Sequence, residues 1–241
     1  MHRKNGPDNA FYFKQFYIQH DRSTMKVGTD GVLLGSWTEI NGAQNILDIG
    51  TGTGLIALML AQRSVENVHI DAIEIDFDAY QQALENVNAS AWNKKIKLSH
   101  SSLQHFSTSL RYDLIVSNPP YFVNSHKAPD PKRNLSRHTD ELPHSAIIEG
   151  CKRLLHPDGR LCLILPHSEG VAFTKMAASA NLLCNKKMSV RHKESRPVER
   201  LLLEFAYRSV AYQERELILI NEEGKRTHPY HEMVSDFYIT D

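Results

Sequence analysis

The feature that most constrains the fold is a glycine-rich turn in residues 45–54, which directly follows a short apolar run. The apolar run is typical of a strand buried on both faces of a sheet, and the residues after the turn have a helix-like pattern. Gly50, Gly52 and Gly54 can adopt positive φ angles and let a ligand approach the backbone closely. Because the N-terminus of the following helix favours a carboxylate or phosphate, this stretch predicts a site for a nucleotide-type cofactor.

The spacing of these glycines narrows the choice of cofactor. Dinucleotide-binding enzymes such as dehydrogenases use the pattern G-x-G-x-x-G, whereas this chain has G-x-G-x-G preceded by an acid, Asp48. The pattern resembles motif I of the S-adenosylmethionine-dependent methyltransferases. That resemblance implies S-adenosylmethionine as the cofactor, bound through Asp48, Gly50, Gly52 and Gly54.

A second motif, N-P-P-Y, closes residues 112–121. Another apolar run ends there in Asn118 and two prolines, so the strand must stop and its end must be rigid. Pro119 pushes Asn118 toward an extended backbone, and Tyr121 adds an aromatic face with a polar tip. A planar group that carries an NH2 would fit beside them, with the Asn118 oxygen and a backbone carbonyl accepting its hydrogens. In isolation, the motif is also typical of a proline-rich loop that closes a strand.

The glycine turn and the N-P-P-Y motif, in this order, resemble the amino-methyltransferases that act on adenine N6, guanine N2 or a protein glutamine amide. The resemblance implies that Asn118, Pro119 and Tyr121 are catalytic. In such a site the Asn118 side-chain oxygen and the Pro119 carbonyl hold the acceptor amine, and Tyr121 stacks against the acceptor. Asn118 is then also placed beside the reactive end of the cofactor.

Alternating strand and helix patterns along the chain predict a doubly wound α/β fold, with a mostly parallel sheet and a C-terminal antiparallel hairpin. We expect residues 1–40 to be an N-terminal extension that packs on the cofactor site, and residues 41–241 to form the methyltransferase domain. The expected strands are residues 11–19, 68–76, 96–100, 114–116, 159–166, 182–190 and 198–207, and the expected helices are 55–63, 77–89, 143–155 and 168–180. A further helix ending near residue 37 should begin at a Thr or Asp cap, and residues 157–159 should form a turn.

Ligands bind such sheets at the edge where the carboxyl ends of the strands meet, and two more candidates, Glu74 and Ser102, are expected there. Glu74 ends the strand after the glycine turn, and its two oxygens can accept from both ribose hydroxyls of the cofactor. Ser102 stands where the resembling methyltransferases usually have Asp, and its hydroxyl is a weaker acceptor for the adenine amine. The segment around Thr29 either contacts the methionine end of the cofactor or forms an ordinary capping turn.

Composition excludes several classes of protein. The 241 residues are 41% hydrophobic and 23% charged, which is ordinary for one soluble globular domain. No apolar run approaches the ~18–20 residues of a membrane span, and the first residues lack the apolar core of a signal peptide. The three cysteines and 13 histidines lack the spacing of metal ligands, so we expect reduced thiols, a cytoplasmic location and no metal.

The net charge is zero, but basic residues cluster within residues 1–26, 127–137 and 186–200. One such cluster is usually a solvated face, whereas three around an active-site mouth suit a phosphate backbone, which is the interpretation we favour. Residues 122–142 lack periodicity and are expected to form a lid that grips the substrate. The candidate substrate contacts are Tyr121, Lys132, Arg133, Arg137, Arg191, Lys193 and Arg196.

Several segments taken together narrow the resemblance. The sequences F-K-Q-F, M-K-V-G-T-D-G, L-D-I-G and S-N-P-P-Y, in this order, are similar to those of the bacterial tRNA(Val) adenine-N6 methyltransferases. This resemblance implies methylation of adenine 37, with tRNA as the partner. We expect the enzyme to be a monomer. A protein glutamine N5-methyltransferase, a ribosomal RNA guanine-N2 methyltransferase and a non-catalytic RNA-binding module stay open as alternatives.

Overall fold

The computed structural model describes residues 7–22, 26–120 and 142–239, which form an eight-stranded sheet and a separate two-stranded sheet. The strands are β1 (Ala10–Tyr12), β2 (Tyr17–Gln19), β3 (Asn45–Ile49), β4 (His69–Glu74), β5 (Ile96–His100), β6 (Tyr112–Ser117), β7 (Leu155–Pro166), β8 (Leu183–Arg191), β9 (Val198–Ala206) and β10 (Gln213–Ile218). The helices are α1 (Thr29–Trp37), α2 (Leu55–Arg63), α3 (Phe77–Asn88), α4 (His144–Leu154), α5 (His167–Ser179) and α6 (His228–Val234). No helix in these three ranges combines the length and the apolar character of a membrane span.

The large sheet has the strand order β10-β8-β9-β7-β6-β3-β4-β5, and among its described strands only β9 runs antiparallel to its neighbours. From β3 the chain moves outward through β4 to β5, and it then returns to the other side of β3 for β6 and β7. Helices α1, α2, α3 and α6 pack on one face, and α4 and α5 pack on the other. This confirms the predicted doubly wound, mostly parallel sheet, with β8 and β9 as its C-terminal hairpin.

The central strands carry apolar residues on both faces because both faces of the sheet are covered by helices. In β3, Ile46 and Leu47 are both fully buried, but they belong to the core clusters on opposite faces of the sheet. Leu114 and Ile115 divide between the two clusters in the same way in β6. The apolar runs in the sequence predicted these strands correctly, because a strand that is buried on both faces carries apolar residues on both.

The N-terminal aromatic stretch forms a hairpin rather than the single strand predicted for residues 11–19. β1 and β2 pair antiparallel, and the Phe13 N–H donates to the Phe16 carbonyl across the turn at 2.8 Å. Phe13 and Phe16 are buried with their ring centroids 4.6 Å apart, and the Tyr238 ring lies 6.0 Å from that of Phe13. These aromatic side chains therefore belong to the core, where they join the two ends of the described chain.

A tenth strand, which periodicity did not assign, lies at the edge of the sheet. β10 pairs in parallel with β8, and ion pairs between Lys187 and Glu214 (2.7 Å) and between Arg191 and Glu216 (2.5 Å) connect the two strands. Leu217 turns inward and is 2% exposed. Residues 213–216 are exposed, so cross-strand charge pairing rather than burial places this strand, and an apolar periodicity is absent there.

Two local predictions are wrong. Residues 157–159, predicted as a turn, lie inside β7, where the register against β6 shifts between the pairs Tyr112–Leu155 and Leu114–Arg160. At Gly159 a Cβ would lie 2.7 Å from the Tyr112 carbonyl, so glycine permits this close approach. The predicted Thr or Asp cap of α1 is also wrong, because Gly28 occupies the cap position and α1 begins at Thr29 without a side-chain cap bond.

A buried polar network lies at the amino end of the central strands. The Tyr112 hydroxyl donates to Asp71 Oδ2 at 2.6 Å, and the His69 ring lies 3.0 Å from the same oxygen. Tyr112 is fully buried, and burial together with the Asp71 carboxylate raises the pKa of its hydroxyl. This network joins β4 to β6 at the edge of the sheet opposite to the carboxyl ends of the strands.

We expect Tyr112→Phe to lower the free energy of unfolding by roughly 1–3 kcal/mol, because it removes a hydrogen bond to a buried carboxylate. Tyr12→Phe is the matched control, since the Tyr12 hydroxyl donates to the Pro7 carbonyl at the exposed end of β1. Urea denaturation of both variants measures the effect. Equal stability of the two variants would contradict the importance of the buried bond.

Candidate active site

The candidate active site lies at the point where the strand order of the sheet reverses. The loop after β3 carries the glycines and the loop after β6 carries Asn118, and the Ser117 hydroxyl donates to the Ile49 carbonyl at 2.8 Å between these two strand ends. A cavity of about 390 Å³ lies there. Its lining comes from the start of α1, the glycine loop, Asn118 and the β8–β9 hairpin. Adjacent parallel strands that diverge in connectivity leave such a crevice at their carboxyl ends.

The glycine loop (residues 50–54) requires its glycines for backbone conformation. Gly50, Gly52 and Gly54 have φ angles of 68°, 57° and 82°, which lie in the left-handed region that side chains disfavour. Apart from the glycine itself and its two chain neighbours, no described residue has an atom within 4 Å of the position that a Cβ would take at Gly50 or Gly52. The loop is therefore open toward the cavity at these two positions. At Gly54, by contrast, the Ala83 side chain of α3 is 3.6 Å from that position.

Glu74 fixes the glycine loop from the end of β4. One of its carboxylate oxygens accepts the Gly52 N–H at 2.8 Å, and the other accepts the N–H groups of Ile75 (2.8 Å) and Asp76 (2.9 Å). The side chain is nearly buried, with 8% of the residue exposed. A carboxylate has about four lone-pair sites, so these three bonds leave capacity for a ligand hydroxyl. The predicted contact between Glu74 and ribose stays a prediction.

Asp48 supports the glycine loop from its buried side. It is fully buried, and its Oδ2 accepts the Thr51 hydroxyl at 2.6 Å. Burial raises the pKa of the Asp48 carboxyl to about 7, although hydrogen bonds from Thr51 and the Ala57 backbone act in the opposite direction. The Glu74 carboxylate contributes a further, smaller increase in this pKa. Asp48 lies behind the loop and is absent from the residues that line the cavity.

The far wall of the cavity is formed by the β8–β9 hairpin. The sequence predicted that this hairpin contributes to the site, but it indicated other residues. His192, Glu199 and Arg200 line the cavity, whereas the predicted substrate residues of this hairpin do not. Arg200 Nε lies 2.8 Å from Asp30 Oδ2 of α1, so an ion pair joins the two walls. Arg200 is opposite Pro166 in the register of β9 and β7, which places it at the carboxyl end of β7. The cluster of basic residues at 186–200 was the only feature of the sequence that pointed to Arg200.

The predicted substrate residues Arg191, Lys193 and Arg196 lie at the end and tip of the hairpin. Arg191 pairs with Glu216 and also donates to the Arg196 carbonyl at 2.7 Å, so it braces the hairpin. Arg196 is exposed, and Lys193 is partly exposed. These two side chains remain candidates for a contact with a large anionic substrate at the cavity mouth.

Of Thr29 and Ser102, only Thr29 is among the residues that line the cavity. Thr29 begins α1 and lines the cavity beside the glycine loop. Ser102 follows β5, and its hydroxyl lies 2.8 Å from His105 Nδ1 within a local turn. Ser102 is connected to the site because the neighbouring Ser101 N–H donates to the Glu74 carbonyl at 2.9 Å. The predicted contact between Ser102 and adenine stays a prediction.

Four predicted site residues and the predicted lid fall outside the part of the chain that the structure describes. These are Tyr121, Lys132, Arg133, Arg137 and residues 122–142, of which only position 142 is described. In the described part of N-P-P-Y, Asn118 is partly exposed and lines the cavity, and Pro119 is buried. No cluster of His, Cys, Asp and Glu that could hold a metal occurs among the described residues.

Comparisons with solved structures identify the fold. A predicted O-methyltransferase from Agrobacterium tumefaciens superposes with a TM-score of 0.66 at 16% identity, covering 86% of this chain and 96% of its own. The ribosomal protein L11 methylase of Lactobacillus delbrueckii gives a TM-score of 0.56 at 17% identity, covering 80% and 84%. At these identities the likeness supports the class of fold and leaves the substrate open.

Sequence comparisons give the family. The model of the methyltransferase small domain matches residues 23–183. A tRNA1(Val) (adenine(37)-N6)-methyltransferase from Tolumonas auensis is 42% identical over 231 residues, which cover 96% of this chain and 97% of that protein. A protein of the same name from Trichodesmium erythraeum is 42% identical over 234 residues, covering 96% and 98%. The resemblance seen in the motifs is thereby confirmed, and the chain belongs to the tRNA1(Val) (adenine(37)-N6)-methyltransferase family.

Proposed function

We propose that this protein transfers a methyl group from S-adenosylmethionine to N6 of an adenine in tRNA, at position 37 of tRNA1(Val). The observation that carries the proposal is the cavity in which Asn118 faces the glycine loop, in a chain that is 42% identical to enzymes of that name along almost its full length. The same names favour adenine over guanine or glutamine as the acceptor. We further propose that the enzyme acts as a cytoplasmic monomer, where tRNA is available.

The residues around the cavity fit the cofactor. Gly50 and Gly52 leave open space at their Cβ positions, and α2 begins directly after Gly54, so its N-terminus lies at the end of the loop. The residues that would contact the cofactor are Thr29, Gly50, Gly52, Gly54, Glu74 and Ser102, with Asn118 beside its reactive end, and Asp48 would hold the glycine loop from the buried side. When bound, S-adenosylmethionine supplies an electrophilic methyl group on a sulfonium ion.

Asn118 acts on the acceptor amine rather than on the methyl donor. Its side-chain oxygen and the Pro119 carbonyl accept the two hydrogens of the adenine amine, which holds the nitrogen lone pair in line for attack. The two prolines keep this acceptor pair rigid, so the orientation is set before the substrate binds. Tyr121 stacks on the base, a contact worth roughly 1–3 kcal/mol. The amine proton is lost through these acceptors after transfer, and no strong general base is required.

The substrate surface extends from the cavity along the hairpin and the segment after N-P-P-Y. Lys193 and Arg196 at the hairpin tip contact the phosphate backbone, together with Lys132, Arg133 and Arg137. Such contacts position an RNA without reading its sequence, so they supply affinity while the cavity selects the base. The net charge of zero is compatible with this function because the basic residues cluster in three stretches of the sequence.

The proposal is tested by methyl transfer from radiolabelled S-adenosylmethionine to tRNA that lacks the modification. Unmodified ribosomal RNA and a release-factor protein serve as competing acceptors. We expect label only in tRNA, as N6-methyladenosine, and none in a tRNA1(Val) transcript with guanine in place of adenine 37. Label in ribosomal RNA as N2-methylguanosine, or in the release factor, would show that the substrate is not the proposed tRNA. Absence of label in every acceptor would contradict the enzymatic function.

We expect Asn118→Ala to lower kcat by roughly 10²–10³, because the variant loses an oriented hydrogen-bond acceptor for the reacting amine. The Kd for S-adenosylmethionine should change by less than about threefold, since the glycine loop and Glu74 supply most of the cofactor contacts. Asn41→Ala, at an exposed loop position before β3, is the matched control. Single-turnover rates and calorimetry separate the two quantities. Equal losses of turnover and of cofactor affinity would contradict the assigned role.

Removing charge from the hairpin tip should weaken RNA binding in a salt-dependent way. We expect Lys193→Ala and Arg196→Ala each to reduce the slope of log K for tRNA against log salt by about one, because each removes one phosphate contact. Lys97→Ala serves as control, since Lys97 is exposed on β5 at the other end of the sheet. Filter binding between low and physiological salt gives the slopes. Unchanged slopes for both hairpin variants would remove the hairpin from the RNA surface.

The pKa of Asp48 gives a pH dependence of stability. Because the folded protein raises this pKa from 3.8 to about 7, the native state binds the proton more tightly than the unfolded chain does. The contribution is therefore stabilising at low pH and is lost as the pH rises toward 7, by at most about 1.4 kcal/mol per pH unit. Asp48→Asn lacks this titration, so the stability of the variant relative to wild type should increase between pH 5 and 7. The free energy of unfolding of both proteins is measured by urea denaturation at each pH. Parallel curves of this free energy against pH would contradict the raised pKa of Asp48.

A further inference from the structure

Asn86 on the inner face of α3 connects two parts of the chain that are distant in sequence. It is 1% exposed, and its carboxamide makes three hydrogen bonds. Oδ1 accepts the Gln19 N–H at 2.9 Å, while Nδ2 donates to the Gln19 carbonyl and to the Thr53 carbonyl, both at 2.9 Å. The side chain thus pairs with the backbone of β2 on one side and with the glycine loop on the other.

The same helix holds the N-terminal segment at a second place. Gln82, fully buried one turn earlier on α3, accepts the Arg22 N–H with Oε1 at 3.1 Å, and Arg22 pairs with Glu85 at 2.9 Å. The cavity lining starts shortly afterwards, at Lys26. Docking of β2 on α3 therefore determines where the chain enters the cavity wall, although residues 7–22 are absent from the cavity lining.

The bonding of Asn86 makes the two parts depend on each other. Both N–H donors of its amide are used, one for Gln19 and one for Thr53, and a buried amide that loses a partner is penalised by roughly 1–3 kcal/mol. Displacement of β2 would leave the Asn86 oxygen and one donor unsatisfied beside the glycine loop. Displacement of the loop would leave the other donor unsatisfied beside β2. Each arrangement is thus favoured when the other is present.

We propose that Asn86 is a positioning residue that couples docking of the β1–β2 hairpin to the conformation of the glycine loop. The hairpin is then a part of the cofactor-binding machinery that acts without touching the cofactor. The inference rests on the proposed binding of S-adenosylmethionine, and it is independent of which RNA or protein is methylated. Coupling is reciprocal, so cofactor binding must also stabilise the docked hairpin.

The first test uses wild-type protein and amide hydrogen exchange with and without S-adenosylhomocysteine. Exchange of the amides in residues 17–22, including the Gln19 N–H that donates to Asn86, should slow when the ligand is added. A residue-level increase in protection there is expected although the ligand site starts at Lys26. Unchanged exchange in this segment, at a ligand concentration that protects the glycine loop, would overturn the proposal.

The second test compares Asn86→Asp with Tyr112→Phe by calorimetric titration of S-adenosylhomocysteine, at a temperature where both variants are folded. Aspartate keeps the acceptor for the Gln19 N–H but places an oxygen against two carbonyls, so we expect the Kd to rise about tenfold or more. Tyr112→Phe, destabilised at the opposite edge of the sheet, should keep its Kd within about twofold of wild type. Equal Kd values for Asn86→Asp and wild type, or equal losses in both variants, would overturn the coupling. Failure of wild type itself to bind the ligand would instead overturn the proposed cofactor.

Discussion

The active site depends on one carboxylate that fixes the conformation of the glycine loop. Glu74 accepts three backbone N–H groups, and one of them belongs to Gly52, whose φ of 57° keeps the loop open toward the cavity. A loop with three glycines can adopt many conformations. A fixed hydrogen-bond acceptor is therefore needed to select one of them. Asp48 adds support through Thr51 from the buried side. The protein thus uses its own carboxylates to shape the surface on which the proposed cofactor lies.

The order of the strands brings the donor and acceptor sides of the proposed reaction together. β3 and β6 are neighbours in the sheet, but the chain leaves them in opposite directions, so their carboxyl-end loops flank a crevice. The Ser117–Ile49 hydrogen bond fixes the two strand ends, and the rigid Asn118–Pro119 step follows at once. The walls are completed by segments far away in sequence, with the Asp30–Arg200 ion pair joining α1 to the hairpin. The proposed methyl transfer depends mainly on the relative orientation of donor and acceptor, and the backbone geometry of the fold provides that orientation.

The sequence predicted the features that arise from local signals. Gly50 and Asn118 stand out because a buried strand, a glycine or proline stop and a helix pattern are all contained within about ten residues. Arg200 and Asn86 were not found, because their roles depend on contacts with residues 170 and 67 positions away. β10 was missed for a related reason, since charge pairing with β8 places it. Glu74 was found by spacing, but its three backbone partners were not foreseen.

A crystal structure of the protein with S-adenosylhomocysteine would test the proposed site most directly. We expect the homocysteine end in the cavity between the glycine loop and Asn118, with the ribose hydroxyls donating to Glu74. The Gly52 N–H should still donate to Glu74, and Asn86 should still bridge Gln19 and Thr53. A ligand bound elsewhere, or a Glu74 side chain that leaves Gly52 in order to bind ribose, would contradict a site held ready by its own carboxylates.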